Sequence, residues 1–186
     1  MTRAGDGAAL TWNVAGLLAD DPGASREFEV ADVTIPLDEG VELARPIAGH
    51  VRLRRTNRGI LVDAQLTAAL RAECSRCLRP MEVPVEIAIE EEFLPLLDLA
   101  TGRPLSSEAE PDTARLSDHH ELELGPLVRD ELLLAEPIAP LHSPDCPGLC
   151  VVCGLPLDEG AHDHPTDDID PRLEALRAFK RDDTPD

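Results

Sequence analysis

Seven cysteine and histidine residues have the types and spacing of metal ligands. Cys74 and Cys77 form one C-x-x-C pair, and Cys150 and Cys153 form a second, followed by Gly154. A tight C-x-x-C turn aims two thiolates at one point, and two such turns from distant parts of a chain can complete a tetrahedral zinc site with four cysteine ligands. All five cysteines lie in or next to these pairs, so the spacing favours zinc binding.

The supply of ligands leaves the composition of the metal site open. In one arrangement, the two C-x-x-C pairs share a single centre. In another, the second pair closes a local centre with His162 and His164, and the first pair then needs Cys146, with His142 as a further candidate. In a third, the cysteines stay reduced and bind no metal. The shared centre is favoured, although spacing alone does not choose between these arrangements.

We expect the zinc to be structural. Thiolate-rich sites are closed, whereas a catalytic zinc keeps an open position and has a proton-transfer group nearby. The sequence contains no G-x-S-x-G motif, no Gly-rich phosphate loop and no H-E-x-x-H motif. We therefore expect no enzymatic activity and no small-molecule substrate. A thiol- or zinc-based redox or metal sensor is the alternative function.

The charge of the chain is unevenly distributed. The 186 residues carry 37 Asp and Glu against 17 Lys and Arg, a formal net charge of -20, which excludes a generic cationic nucleic-acid binder. Residues 81–186 hold almost all of this charge, whereas the first 80 residues are nearly neutral and contain a run of arginines. A possible RNA-contact face comprises Arg52, Arg54, Arg55, Arg58, Arg76 and Arg79. Alternatively, the exposed strand arginines pair with the row Glu82, Glu86 and Glu90 of a neighbouring strand.

Alternating apolar residues in three consecutive segments predict an antiparallel β-meander. The three segments are residues 47–53, 60–72 and 81–93. A hairpin turn at 56–59 connects the first two, and the first C-x-x-C pair lies between the second and the third. Residues 10–17 and 26–33 are candidate edge strands. The cysteines of this pair are therefore predicted to lie in a connection between strands.

The predicted fold class is α+β, with one helix packed on the meander. An antiparallel-sheet domain, residues 1–140, includes this helix near 125–136 and a flexible acidic loop near 97–118. A Cys/His-rich zinc-knuckle segment follows at 141–165. Residues 166–186 are expected to form an acidic linker and a short C-terminal helix.

The N-terminal residues and the cysteine count predict a cytoplasmic protein. Met1 to Asp21 lacks the basic lead and long apolar core of a signal peptide. No uncharged apolar run approaches the roughly 20 residues of a membrane span, so no membrane contact is expected. Five cysteines without an export signal are expected to be thiols or metal ligands rather than a disulfide framework.

Seven short motifs follow one another over nearly the whole chain. They are Pro46-Ile47-x-Gly49, Arg54-x-Thr56-Asn57-x-Gly59, Cys74-Ser-Arg-Cys77-Leu, Glu91-Glu92-Phe93, Leu124-Gly-Pro-Leu-Val-Arg-Asp-Glu-Leu-Leu-Leu, Cys146-Pro-Gly-Leu-Cys-Val-Val-Cys-Gly154 and Asp170-Pro-Arg-Leu. Each motif is weak alone, but their ordered combination resembles the YceD family of bacteria and plastids, also called the large ribosomal RNA subunit accumulation protein family.

This resemblance implies a non-enzymatic factor needed for accumulation of 23S ribosomal RNA and for assembly of the large ribosomal subunit. The expected partner is the large-subunit precursor, through a basic ribosomal protein or 23S rRNA. The acidic residues of 81–186 are suited to a basic protein. Many relatives carry Cys-x-Cys where this chain has His162-Asp-His164, and this exchange is compatible with metal binding because histidine is also a zinc ligand.

Overall fold

A computed structural model describes most of the chain. The described residues are 10–37, 40–98, 101, 103–104, 113–160, 163–164, 172–173 and 176. They form a four-stranded antiparallel sheet, a two-stranded sheet and two helices. The predicted α+β class and the antiparallel meander are therefore confirmed.

The large sheet follows the order of the chain. The elements are β1 (Thr11–Asn13), α1 (Ala15–Ala19), β2 (Ser25–Val33), β3 (Leu43–Arg55), β4 (Ile60–Glu73), β5 (Pro80–Phe93), β6 (Glu121–Glu123) and α2 (Gly125–Leu134). Strands β2, β3, β4 and β5 pair antiparallel in that order, and β1 pairs with β6 in the small sheet. Strands β3, β4 and β5 are each 13 or 14 residues long, so the sheet is long and narrow.

The segment predicted as an edge strand at residues 10–17 is only partly a strand. It divides into β1 and the beginning of α1. The Asn13 side-chain oxygen accepts a hydrogen bond from the Ala15 backbone N–H at 3.1 Å. Such a local bond to the backbone favours a turn into a helix over continued strand pairing. The second predicted edge strand, at 26–33, is confirmed as β2.

Strand β4 shows how the sheet separates its two faces. Ile60, Val62 and Leu66 are at most 2% exposed, whereas the intervening Asp63 and Gln65 are exposed. Because successive side chains of a strand point to opposite faces, this alternation places the aliphatic residues on one face. That face joins the main core, and the opposite face carries charged residues.

Both helices complete the main core. Leu17 and Leu18 of α1 are buried, as are Val128 and Leu132 of α2. Helix α1 packs against β3 and α2 against β5. Burying one such aliphatic side chain stabilises the fold by about 1.5–3 kcal/mol. The two helices shield this face of the sheet from water. In the described part of the chain, no helix is long and apolar enough to cross a membrane.

The turn between β3 and β4 is fixed by its own side chains. The Thr56 hydroxyl oxygen accepts hydrogen bonds from the N–H groups of Arg58 and Gly59, and the hydroxyl donates to Glu92 at 2.6 Å. A Cβ atom on Gly59 would lie 2.1 Å from the Phe93 carbonyl oxygen, so only glycine fits. The turn is thereby attached to the end of β5.

Parts of two predicted segments lie outside the described residues. In the loop predicted near 97–118, residues 99–100, 102 and 105–112 are not described, and its described parts include a bridge between Leu97 and Pro104. The predicted linker and C-terminal helix at 166–186 lie outside the described residues except for 172–173 and 176. The division into three parts stays a prediction.

Candidate metal centres

The connection between β4 and β5 forms the first knuckle, residues 74–79. The Leu78 N–H donates to the Cys74 carbonyl at 2.8 Å, and the Cys74 N–H donates to the Arg79 carbonyl at 2.9 Å. Leu78 has a positive φ of 59°, which turns the chain back into β5. This tight turn brings Cys74 and Cys77 together at the end of the sheet.

Four residues form the first centre: Cys74, Cys77, His142 and Cys146. Their donor atoms all lie within 4.8 Å of one another. His142 Nδ1 is 3.3 Å from the Sγ atoms of both Cys74 and Cys77, and the Sγ atoms of Cys74 and Cys146 are 3.8 Å apart. Three thiols and one imidazole are the ligand set of a closed tetrahedral zinc site, so this group can hold a metal ion.

The first centre has its own small apolar surround. Cys74, Cys77 and Cys146 are at most 6% exposed, and Met81, Leu141 and Leu149 pack against them. His142 closes the group from the solvent side, where it is exposed. The cysteines are thus shielded from water, which suits a structural centre better than a reactive one.

Hydrogen bonds hold the segment 140–148 against the first knuckle. The Ser75 N–H donates to the Pro140 carbonyl at 2.9 Å, and the Arg76 guanidinium donates to the Cys146 carbonyl at 2.9 Å. Gly148 has a φ of +86°, and a Cβ atom there would lie 3.2 Å from the Arg76 carbonyl oxygen. These contacts carry Cys146 to the thiols of the first knuckle.

The thiols of the first centre differ in acidity. Burial raises the pKa of Cys74, but hydrogen bonds from the His142 backbone and imidazole, and from the backbone of Arg76 and Cys77, outweigh burial and lower it to about 5. Burial raises the pKa of Cys146, and the neighbouring thiols raise it further. Crowded thiolates repel one another, and a bound cation would relieve that repulsion.

Three described residues form the second centre: Cys150, Cys153 and His164. Their donor atoms also lie within 4.8 Å of one another. Cys150 is buried, Cys153 is exposed and His164 is half-buried, so this group is more open to solvent than the first. His162, the other ligand considered for a local centre, lies outside the described residues.

The second knuckle, residues 150–155, has the same pattern of backbone hydrogen bonds as the first. The Gly154 N–H donates to the Cys150 carbonyl at 2.8 Å, and the Cys150 N–H donates to the Leu155 carbonyl at 2.7 Å. Hydrogen bonds from the backbone N–H groups of Cys153 and Val152 lower the pKa of Cys150. The turn therefore favours a thiolate at the first cysteine of the pair, which is the form that binds metal.

The structure distributes the predicted ligands over two groups. In the described part of the chain, the first C-x-x-C pair lies with His142 and Cys146, and the second lies with His164. The spacing of the cysteines favours a shared centre, and two separate centres are the alternative that it leaves open. The contacts of Cys146 and Gly148 with Arg76 explain the grouping, because they place Cys146 at the first pair.

An ion pair links the first knuckle to the residues that follow the second knuckle. The Arg79 guanidinium makes two hydrogen bonds to the Asp158 carboxylate, at 2.7 and 2.6 Å, and a third to Glu159 at 2.9 Å. These bonds lower the pKa of Asp158 and raise that of Arg79. Since the partners are 79 and 80 residues apart in the chain, no local sequence pattern indicated this contact.

The six arginines of the predicted RNA-contact face lie at opposite ends of β4. Arg52 to Arg58 lie in β3 and its turn, whereas Arg76 and Arg79 lie in the first knuckle. The 14 residues of β4 separate these regions by roughly 40 Å at about 3.3 Å per residue. Closeness in the sequence therefore does not produce a single cationic face.

Several of these arginines make contacts within the protein. Arg52 forms an ion pair with Glu27 at 2.7 Å and lies opposite Asp63 of β4. The Arg55 guanidinium donates to the carbonyls of Leu18, Thr56 and Gly59. The row Glu82, Glu86 and Glu90 lies on β5, which is not adjacent to β3, and Arg52 pairs with a glutamate of β2 instead. Arg45 of β3 does form an ion pair with Glu82, at 3.0 Å. The side chains of Arg54 and Arg58 are exposed.

The fold and its donor groups define the class of the protein. It is an α+β protein in which two C-x-x-C turns, supported by histidines and a fifth cysteine, can hold metal ions. A family model described as "Large ribosomal RNA subunit accumulation protein YceD" matches residues 62–180, which include most of β4, all of β5 and both knuckles. The chain belongs to the YceD family.

Relatives of this chain occur in mycobacteria. It is 34% identical over 172 residues to an uncharacterized protein of Mycobacterium tuberculosis strain H37Rv, covering 83% of this chain and 74% of the relative. An uncharacterized protein of Mycobacterium bovis matches to the same extent. An uncharacterized protein of Mycobacterium leprae is 29% identical over 136 residues, covering 70% of this chain and 58% of the relative. No solved structure matches the chain significantly.

Proposed function

We propose that the protein is a non-enzymatic factor required for accumulation of 23S rRNA and for assembly of the large ribosomal subunit. The observation that carries this proposal is the match of residues 62–180 to the family described by large ribosomal RNA subunit accumulation. The match supports a ribosome-related role. The two Cys/His groups add support for a binding protein, because thiolate-rich centres organise loops rather than perform chemistry.

In this proposal each centre binds one structural zinc ion. The first centre supplies three thiols and an imidazole, and its buried cysteines suit a closed tetrahedral site. Its ligands come from the β4–β5 connection and from the segment after α2, so a metal ion there would cross-link two distant parts of the chain. The binding free energy would then contribute directly to folding of the loop-rich segment.

A basic ribosomal protein is the better-supported direct partner. Residues 81–186 hold 26 Asp or Glu against 7 Lys or Arg, which favours fast and salt-sensitive association with a cationic protein. Direct rRNA binding needs a cationic surface. The candidate arginines are divided between two ends of the sheet, and Arg52 and Arg79 are in ion pairs.

Deletion of the gene in the host organism tests the proposed function. We expect the ratio of 23S to 16S rRNA to fall and large-subunit precursors to accumulate, with both defects reversed by the wild-type protein. The Cys74→Ser variant should restore the ratio poorly, because it removes a ligand of the first centre. An unchanged 23S to 16S ratio in the deletion strain would contradict the proposal.

A thiol- or zinc-based sensor is the second candidate, and the exposure of Cys153 favours it. An exposed thiol beside a second cysteine is accessible to mild oxidants. A sensor would release zinc from the second centre under mild peroxide and take it up again on reduction. Zinc release can be measured with a zinc-sensitive dye. Such release would support this function over the first if deletion of the gene also leaves the rRNA unchanged.

A further inference from the structure

We infer that the two knuckle turns form one docking surface for a cationic segment of a large-subunit ribosomal protein that carries apolar anchor residues. We name this the knuckle surface and define it by Leu78, Val151, Val152, Leu155 and Leu157. The inference rests on the proposed function, since it names the partner chemistry and the part of the protein that meets it.

The knuckle surface exposes large apolar side chains to solvent. Val151 is fully exposed, and Val152, Leu155 and Leu78 are each between 57% and 60% exposed. The metal ligands need only the cysteines and the tight turn, so metal binding does not explain two consecutive β-branched residues between Cys150 and Cys153. Clustered exposed apolar residues with a polar rim mark protein interaction sites.

The two turns are held next to each other. A Cβ atom on Gly148, just before the second knuckle, would lie 3.2 Å from the carbonyl oxygen of Arg76 in the first. Arg79 of the first knuckle pairs with Asp158 and Glu159 beyond the second. The apolar residues of both turns therefore belong to one preorganised region, which lowers the entropic cost of binding.

The charge of the sequence that contains the second knuckle indicates the charge of the occupant. Residues 130–171 contain ten Asp or Glu and no Lys or Arg. Among the described residues of this stretch, Asp130, Glu136, Asp145 and Asp163 are exposed, as are Asp158 and Glu159, which pair with Arg79. An apolar surface within an acidic stretch is complementary to a segment that carries Lys or Arg beside its apolar anchors.

RNA is a poor occupant of the same surface. Of the two arginines in the first knuckle, Arg76 donates to the Cys146 carbonyl and Arg79 pairs with two carboxylates. The described part of the second knuckle has no aromatic residue on which a base could stack. The carboxylates of residues 130–171 would repel phosphates.

A photo-crosslinker placed at Val151 in the full-length, zinc-loaded protein tests the inference. The probes are the purified, RNA-free proteins of the host's large subunit and, separately, purified 23S rRNA. We expect a crosslink at low salt to one cationic ribosomal protein, and its loss at high salt because the carboxylates are then screened. A crosslink to rRNA, to a second copy of this chain, to another part of the same chain, or to no ribosomal protein would overturn the inference.

Binding of the protein identified in this way gives a second readout. The double variant Val151→Ser, Val152→Ser should bind it about tenfold or more weakly, since exposed apolar anchors contribute strongly to affinity. Leu134→Ser is the matched control, because Leu134 is 79% exposed at the end of α2, outside the knuckles, and should bind normally. Equal binding by the double variant would overturn the inference.

Two checks separate this inference from other effects. Zinc content and thermal stability of the double variant should equal those of the wild type, and if they do not, the crosslink at Val151 decides the question. Expression of a folded double variant in the deletion strain should fail to restore the 23S to 16S ratio. Full restoration would contradict the knuckle surface while leaving the proposed function in place.

Discussion

At the scale of single residues, the four ligands of the first centre are interdependent. Cys74 and Cys77 belong to one turn, whereas His142 and Cys146 come from a segment held there by backbone contacts. Each ligand is in contact with at least one other. Replacing one ligand therefore leaves the remaining thiols crowded and without a complete set of ligands for a metal ion. Ligand substitutions should therefore affect stability as well as metal content.

The Cys74→Ser variant should lose metal from the first centre and be less stable. We expect the free energy of opening of residues 141–160 to fall by about 4 kcal/mol or more, as is typical when a structural metal is lost, while the sheet stays folded. Elemental analysis measures the metal content, and hydrogen exchange followed by mass spectrometry measures the opening. Cys153→Ser is the comparison, because Cys153 belongs to the second centre and its loss should leave the metal of the first centre in place. Loss of all metal from both variants would contradict two separate centres.

The Arg79→Ala variant should loosen the second knuckle. In the wild type, the Arg79 guanidinium binds Asp158 and Glu159, which follow the second knuckle. Loss of these bonds should raise the rate at which a chelator removes metal from the second centre by several-fold. Arg71→Ala is the control, since Arg71 pairs with Glu42 on an exposed part of the sheet. Identical rates for wild type and Arg79→Ala would show that the ion pair does not connect the centres.

At the scale of elements, the sequence predicts the regular parts better than the contacts between them. Alternation of apolar residues located β3, β4 and β5, and Pro126 located the first turn of α2. The sequence does not predict α1, because a helix of five residues is too short to show a helical period. The grouping of ligands depends on Arg76, whose contacts with residues about 70 positions away leave no periodic signal.

The hairpin between β3 and β4 offers a test of the sheet. Gly59→Ala should destabilise the protein by about 2 kcal/mol or more, because the new methyl group would clash with the Phe93 carbonyl oxygen. Gly125→Ala, at the beginning of α2, is the control: its methyl group would meet no atom within 4 Å and should be neutral or stabilising. Denaturant unfolding compares the two. A neutral Gly59→Ala would contradict the close approach of the turn to β5.

At the scale of the whole molecule, the net charge of -20 is unevenly distributed between the sheet and the knuckles. The sheet carries arginines and acids together, whereas the stretch that contains the second knuckle is acidic without any Lys or Arg between positions 130 and 171. The main core and the small cluster around Cys74 are separate sets of buried residues. Folding of the sheet and ordering of the knuckles can therefore respond differently to metal.

Metal removal should open the knuckles and leave the sheet folded. The main core is built from aliphatic residues of the sheet and helices, so chelation should increase hydrogen exchange in residues 141–160 while β3 and β4 keep their protection. Hydrogen exchange followed by mass spectrometry, with and without a chelator, measures this. Exchange rising equally in β3 would show that the metal stabilises the whole fold.

The number of zinc ions per chain tests the two-centre account most directly. Elemental analysis of the purified protein should give two zinc ions, and the Cys74→Ser and Cys153→Ser variants should each keep about one, because their ligands belong to different groups. One zinc ion in the wild type, lost in both variants, would instead establish a single centre shared by the two C-x-x-C pairs.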